Sequence, residues 1–216
     1  MDFQSQKSIY DPDKQKTNII VIGAGSTGSF LTLTLAKMGL NKIKIIDYDK
    51  VEGKNIPNQF FRTQDIGKYK TEALKEIVKD FTGTEIKTEN AKIDEKYNFD
   101  MDLNTIFILC LDNMEGRQII YNLLKDFPVK LIDTRFGSEG FSIHNIDLSK
   151  EEEKADYEKS LGLSIMDTPC GQKGVIYTIL SLASEVCNVV KQIDSEEDYA
   201  KLLKREMKQY RFIAKK

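Results

Sequence analysis

Arginine is scarce in this chain of 216 residues: there are five, and none precedes Arg62. The N-terminal quarter therefore has no forked guanidinium to offer an anion, and lysine is not an equal substitute. Long apolar runs are also missing. No stretch approaches the roughly 18 apolar residues that would cross a membrane. The opening, Met1 to Lys16, is polar and lacks the apolar core of a signal peptide. The three cysteines, Cys110, Cys170 and Cys187, form no C-x-x-C pair. An odd count without a framework suits reduced thiols in a cytoplasm and argues against a structural zinc site. A net charge of −2 gives no electrostatic case for nucleic acid. Lysine is abundant but interleaved with acid, as on a solvated surface. No internal repeat and no low-complexity linker interrupts the chain.

What is present suits one α/β domain with short appendages. The chain is organised around Ile19-Ile20-Val21-Ile22-Gly23-Ala24-Gly25-Ser26-Thr27-Gly28-Ser29. An apolar run fit for a buried parallel strand enters a glycine-rich turn, then a helix beginning near Ser26. Gly23 suits the tight turn, Gly25 leaves room for a phosphate, and Gly28 lets the helix lie close to the strand. The helix N-terminus offers N–H groups and a positive dipole end to an anion. A second strand, Ile43 to Ile46, ends in Asp47, about 20 residues beyond the glycines, where a ribose hydroxyl is usually held. The unit reads as a nucleotide-binding βαβ.

Residues 1–17 read as an arm. Asp49 to Thr63 has no clear period and contains Gly53 and Pro57, the pattern of a long functional loop. Asp65 is placed to cap a helix running through Ala73, Leu74, Ile77, Val78 and Phe81. Strands are expected near Glu85–Ala91, Thr105–Leu111 and Val129–Asp133, with a helix over Glu115–Lys125. Phe141 to Ile146 alternates, as an antiparallel edge would. The order predicts a doubly wound, Rossmann-like mixed sheet, mainly parallel with an antiparallel edge. Lys150–Ser160 is expected to be a solvated helix or loop. Gly174–Ile193 predicts an amphipathic helix that closes the main domain at residue 193. Asp194–Lys216 predicts a charged terminal helix and tail, with Tyr199, Leu202, Leu203, Met207 and Tyr210 as its apolar stripe.

Four features follow the glycine turn: Asp47-Tyr48-Asp49 with Asn55 and Gln59 beyond; Ile66-Gly67-Lys68-Tyr69-Lys70; Asp112-Asn113 with Arg117; and Pro169-Cys170 before the long helix. Ligands bind at the carboxyl ends of strands in a doubly wound sheet, so Gly23–Gly28, Asp47 and Asp112 should converge. Two carboxylates beside a phosphate need a cation between them, which makes Mg²⁺ at Asp112 the economical reading.

This order resembles the ThiF/MoeB family, bacterial relatives of ubiquitin-activating enzymes. The resemblance rests on Asp-x-Asp-x-Val-x-x-x-Asn at 47–55, Ile-Gly-x-x-Lys at 66–70 and Asp-Asn-x-x-x-Arg at 112–117. It implies ATP-dependent adenylation of the C-terminal carboxylate of a small ubiquitin-fold protein or peptide, with Mg²⁺, in a cytoplasmic homodimer. Carried over by position, Gly23, Gly25, Ser26 and Gly28 border the phosphates and adenosine. Asp47 holds the ribose, with Asp49, Asn55, Gln59 and Asn113 lining the pocket. Lys70 sits on the phosphates, and Asp112 holds the metal.

The chain departs from the family at Asn58, where a phosphate-binding arginine is usual, and in having no arginine in its N-terminal arm. Arg62 is close enough in sequence to replace one; Lys14, Lys16 or a partner chain is left to supply the other. Cys170 is a candidate acceptor of the activated group, since a helix N-terminus favours a thiolate. Cys110, Cys187 and His144 read as packing. Two rivals stay open: a non-catalytic ATP-binding subunit of a heteromeric enzyme, and an NAD(P)-dependent oxidoreductase.

Overall fold

The computed structural model describes residues 1–137, 140–162 and 175–215. In chain order they form β1 (Asn18–Ile22), α1 (Ser26–Lys37), β2 (Ile43–Ile46), α2 (Lys70–Thr82), β3 (Lys87–Glu89), β4 (Thr105–Leu109), α3 (Met114–Leu124), β5 (Lys130–Gly137), β6 (Gly140–Asp147), α4 (Glu151–Leu161), α5 (Ile176–Asp194), β7 (Leu202–Glu206) and β8 (Arg211–Lys215). One sheet runs β3-β2-β1-β4-β5-β6-β7-β8. Pairing is parallel from β3 to β5 and antiparallel from β5 to β8. The predicted fold class therefore holds.

The sheet has two apolar faces, which is why β1 reads as an unbroken hydrophobic run. Ile19 and Val21 join Leu31, Leu35, Leu74, Val186 and Val190 under α1, α2 and α5. Ile20 and Ile22 join Phe107, Leu109, Ile120 and Leu124 on the opposite face. The arm folds back on its own chain. Asp194, at the end of α5, accepts from the Lys16 and Thr17 amides, the Thr17 hydroxyl and the Tyr10 hydroxyl, at 2.8–2.9 Å.

Three expectations need correction. The terminal segment is not a helix: β7 and β8 form a hairpin that extends the sheet. Pairing with β6 and insertion of Leu203 into the core override the helical spacing of the apolar residues. Asp65 does not cap α2, which begins at Lys70 after Tyr69; it ends a short 3-10 turn, Thr63–Asp65, and is wholly buried. The 150–160 run is helical but not merely solvated, because Glu153 and Tyr157 are buried.

The turn from β1 into α1 is tightly packed. Gly23 has φ +100°, and a Cβ there would meet the Cys110 carbonyl oxygen at 2.5 Å. A Cβ on Gly28 would lie 1.8 Å from the Gly23 carbonyl oxygen. Gly28→Ala should therefore destabilise the protein by at least about 2 kcal/mol in urea titration, outweighing the roughly 1 kcal/mol gain in helix propensity. An unchanged midpoint would refute this close approach.

Candidate nucleotide-binding site

The first three strands step from β1 through β2 to β3, and β4 then returns to the other side of β1. The strand order reverses between β1 and β4, the position where such sheets leave a crevice at their carboxyl ends. Gly23–Gly28 follows β1, Asp47 follows β2 and Asp112 follows β4, so the topology brings these expected residues to one end of the sheet. Hydrogen bonds tie them closer. The Gly23 amide donates to Ile46, and the Cys110 amide to Ile22, both at 2.8 Å. The Ala24 amide donates to Asp47 Oδ2 at 2.6 Å, and the Asp49 amide to Asp47 Oδ1 at 2.7 Å. Burial raises the Asp47 pKa, while the two amides and the Lys70 charge pull it down.

The start of α1 has no side-chain cap and no acid in its first turn. Gly25, its N-cap, has nothing within 4 Å of where a Cβ would lie. Chain packing thus explains Gly23 and Gly28 but not Gly25, whose open face lies against the uncapped amides. Three buried polar atoms, Thr27 Oγ1 on α1 and Asn58 Oδ1 and Gln59 Oε1 in the loop that follows β2, have no hydrogen-bond partner among the described residues. The Phe60 amide donates to Ser29 Oγ at 2.9 Å, which holds the 55–60 loop against α1. Open space, uncapped amides and orphaned polar atoms fit a nucleotide.

Lys70 is buried, and its ammonium donates to Asp49 Oδ2 at 2.8 Å. Its amide also bonds the Asp49 carbonyl, at 2.9 Å, so the start of α2 is fixed to the loop after β2. Asn55 is buried, but its side-chain oxygen accepts from the Glu52 amide within its own turn. Asp112 is exposed and receives one bond, from Asn113 Nδ2 at 3.1 Å. An exposed carboxylate is a hard oxygen donor of the kind Mg²⁺ takes while keeping water and phosphate ligands. Among the described residues, no three His, Cys, Asp or Glu converge on a metal.

Arg62 is heavily engaged elsewhere. It pairs with Asp65 through Nε at 2.9 Å and NH2 at 3.0 Å, and with Asp80 through NH1 at 3.0 Å. Burial pushes the Asp65 pKa up, but Arg62 and Lys68 outweigh it and hold the carboxyl low. Cys110 is packed behind the glycine turn, and burial pushes its thiol up to about 12. Cys170 lies outside the described residues.

Sequence reasoning missed the layer beneath Asp112. Arg117 is 1% exposed and donates to Asp133 at 2.7 Å, and to the carbonyls of Asn113, Leu111 and Thr134 at 2.6–2.9 Å. Asp133, fully buried, also accepts from Arg135 at 2.7 Å and from the Tyr157 hydroxyl at 3.1 Å. Burial opposes its ionisation, but the two arginines outweigh it and hold the pKa below its ordinary value. The available signal was Arg117 itself, a rare arginine one helical turn beyond Asn113.

Two clefts among the described residues lie elsewhere. One, of about 650 Å³, is bordered by Phe3, Pro12 and Thr82–Glu85, where β2 and β3 begin; another, of about 340 Å³, lies between the arm, α1 and α5. None of the candidate site residues lines either.

The sheet and turn define a Rossmann-type fold. The chain belongs to the ThiF family, whose model matches residues 11–201. It is 38% identical over 113 residues to the NEDD8-activating enzyme E1 catalytic subunit of Arabidopsis thaliana, a match covering 51% of this chain and 25% of that protein. It is 28% identical over 152 residues to ubiquitin-like modifier-activating enzyme 5 of Aedes aegypti, covering 63% and 38%. The chain thus spans well under half of these relatives. Its fold matches that of E. coli MccB, crystallised with AMPCPP and MccA, at TM-score 0.77 and 17% identity, covering 94% of this chain and 65% of that one. It also matches PaaA, at TM-score 0.74 and 20% identity, covering 95% and 65%. Among the described residues no helix is long and apolar enough to cross a membrane.

The buried centre gives the fold a pH dependence. Burial, then the Arg135 charge, lowers the pKa of His144 to about 4. The unfolded imidazole protonates below about pH 6.5, so the unfolded chain binds the extra proton between those values. Stability should fall as pH drops from 6.5 to 4, by roughly 3 kcal/mol at most from this group. The wild-type urea midpoint should shift more between pH 7 and 4.5 than that of His144→Gln; parallel profiles would remove His144 from the account.

Proposed function

We propose that this chain is a small ThiF-type adenylyltransferase that activates the C-terminal carboxylate of a ubiquitin-fold protein or peptide with ATP. The observation that carries the reading is the set of Gly25, Asp47 and Asp112 at adjacent strand ends, with Lys70 tied in through Asp49. In-line attack at phosphorus needs alignment and charge neutralisation more than a strong base. A carboxylate oxygen would attack the α-phosphorus, and the bond to the bridging oxygen would break with release of pyrophosphate.

The α1 amides and Gly25 would receive phosphate, Asp47 the ribose hydroxyls, and Lys70 the developing negative charge. Asp112 would hold Mg²⁺, which supplies charge neutralisation between the phosphates. Asp49 then positions Lys70. Gln59 and Asn113 remain pocket residues in this reading. Asn55 supports the pocket through its own turn. Arg62, committed to Asp65 and Asp80, serves as a brace for the loop. A homodimer in the cytoplasm is part of the same proposal.

A second reading is favoured by one observation. Asn58 occupies the family's usual arginine position, and Arg62 is already bound to two carboxylates. A chain without those cationic forks would bind ATP as the non-catalytic member of a heteromeric enzyme. An NAD(P)-dependent oxidoreductase draws support only from the glycine turn and Asp47.

Calorimetry with ATP and Mg²⁺ should give saturable binding to the wild type, and none with NAD⁺. Asp112→Ala and Lys70→Ala should each weaken ATP binding at least tenfold, about 1.4 kcal/mol. NAD⁺ binding without ATP binding would overturn the proposal. ATP binding without pyrophosphate exchange across a panel of C-terminal carboxylate peptides and ubiquitin-fold proteins would select the second reading. Gly25→Ala should also impair ATP binding, yet leave the urea midpoint within about 0.5 kcal/mol of wild type, because its Cβ meets no neighbour.

A further inference from the structure

The far edge of the sheet carries a charge pattern that the nucleotide site does not use. Residues 201–215 hold six lysines and arginines against one acid, Glu206, in a chain whose net charge is −2. This segment is the β7–β8 hairpin, and β8 is the last strand of the sheet. All five β8 residues are exposed. Its outer edge offers backbone N–H and C=O groups that no strand among the described residues takes up.

The register sorts the side chains. Arg211, Ile213 and Lys215 share one face with Glu206, Lys204 and Leu202 of β7. Phe212 and Ala214 share the other with Arg205 and Leu203. Arg205 lies 3.7 Å from Glu185 of α5, which places Phe212 on the α5 side. Phe212 is 50% exposed and Ile213 is 41% exposed.

We propose that β8 docks an extended acidic segment of a partner protein, which adds to the sheet as a ninth strand. A bare strand edge is best satisfied by another polypeptide backbone. Arg211 and Lys215, two positions either side of Ile213, select acids at the ends of that segment. Ile213 and Phe212 select apolar residues between them. The complementary pattern, acid-apolar-apolar-apolar-acid, reads the same in either strand direction. A second copy of β8 is a poor occupant, because antiparallel pairing about Ile213 sets Arg211 against Lys215 twice. The basic edge thus repels itself and leaves acidic strands as its complement. This inference stands independently of the ATP reading.

The test is fluorescence anisotropy of the whole chain with a labelled peptide centred on Glu-Val-Val-Val-Glu. Its comparators are the same peptide with Lys for Glu, and two versions N-methylated on alternate backbone positions. The Glu peptide should saturate, and the Lys peptide should bind at least tenfold more weakly. One N-methylated version should lose binding, because only one set of its amides faces β8. Arg211→Glu combined with Lys215→Glu should reverse the preference between the Glu and Lys peptides; both side chains are exposed and outside the core. Because Arg211 faces Glu206, Arg211→Gln with Lys215→Gln, which should abolish the preference, is the companion variant. No binding of the Glu peptide, or binding that survives in both N-methylated versions, would overturn the proposal. So would tighter binding to phosphatidylserine vesicles or to a single-stranded oligonucleotide.

Discussion

The buried guanidinium of Arg117 fixes the geometry on which the rest of the candidate site depends. It bonds two carbonyls of the turn that carries Asp112, one carbonyl of β5, and the carboxylate of Asp133. A buried charge of this kind is tolerable only when its donors find acceptors. Here the acceptors belong to separate elements, so satisfying the charge also fixes their spacing. Tyr157 brings α4 to the same carboxylate, and Arg135 bonds the Ser160 carbonyl at 3.0 Å. Asp112 can therefore stand exposed on a turn that is rigid from beneath.

The other side of the crevice is arranged with its charges already matched. Lys70 meets Asp49, and Asp47 meets two amides. Three of the five arginines, Arg62, Arg117 and Arg135, are bound to buried carboxylates. Their scarcity in the sequence thus understates their structural use and overstates how many are left for a ligand. Under the proposed function, the α1 amides and Lys70 would be the phosphate donors.

Much of this was legible in the chain. The glycine spacing, the apolar runs and the acids at strand ends depend on local periodicity, and the βαβ unit and sheet class followed from them. Gly25 was expected to leave room for a phosphate, and open space does lie where its Cβ would be. The C-terminal hairpin was not legible, because Tyr199, Leu202, Leu203 and Met207 mimic a helical stripe, and only the partner strand β6 decides otherwise. Asp65 looked like a helix cap because its pairing with Arg62, three residues earlier, forms only in the folded loop. Asp133 was hidden for the same reason: a carboxylate in a buried strand shows nothing of the two arginines it serves.

Asp194 joins the N-terminal arm to the end of α5 in a single clasp, with bonds spanning 177 to 184 residues of sequence. Contacts of such separation form only after the intervening chain has been ordered. During synthesis the arm leaves the ribosome well before α5, so its bonds to Asp194 are made late. Before that, residues 1–17 have the nearer corner between α1 and β2 to hold them, where Gln6 donates to the Met38 carbonyl at 2.7 Å and Gln15 accepts from the Asn41 amide at 2.9 Å. They lock as a late seal, when α5 is complete and its terminal carboxylate reaches them.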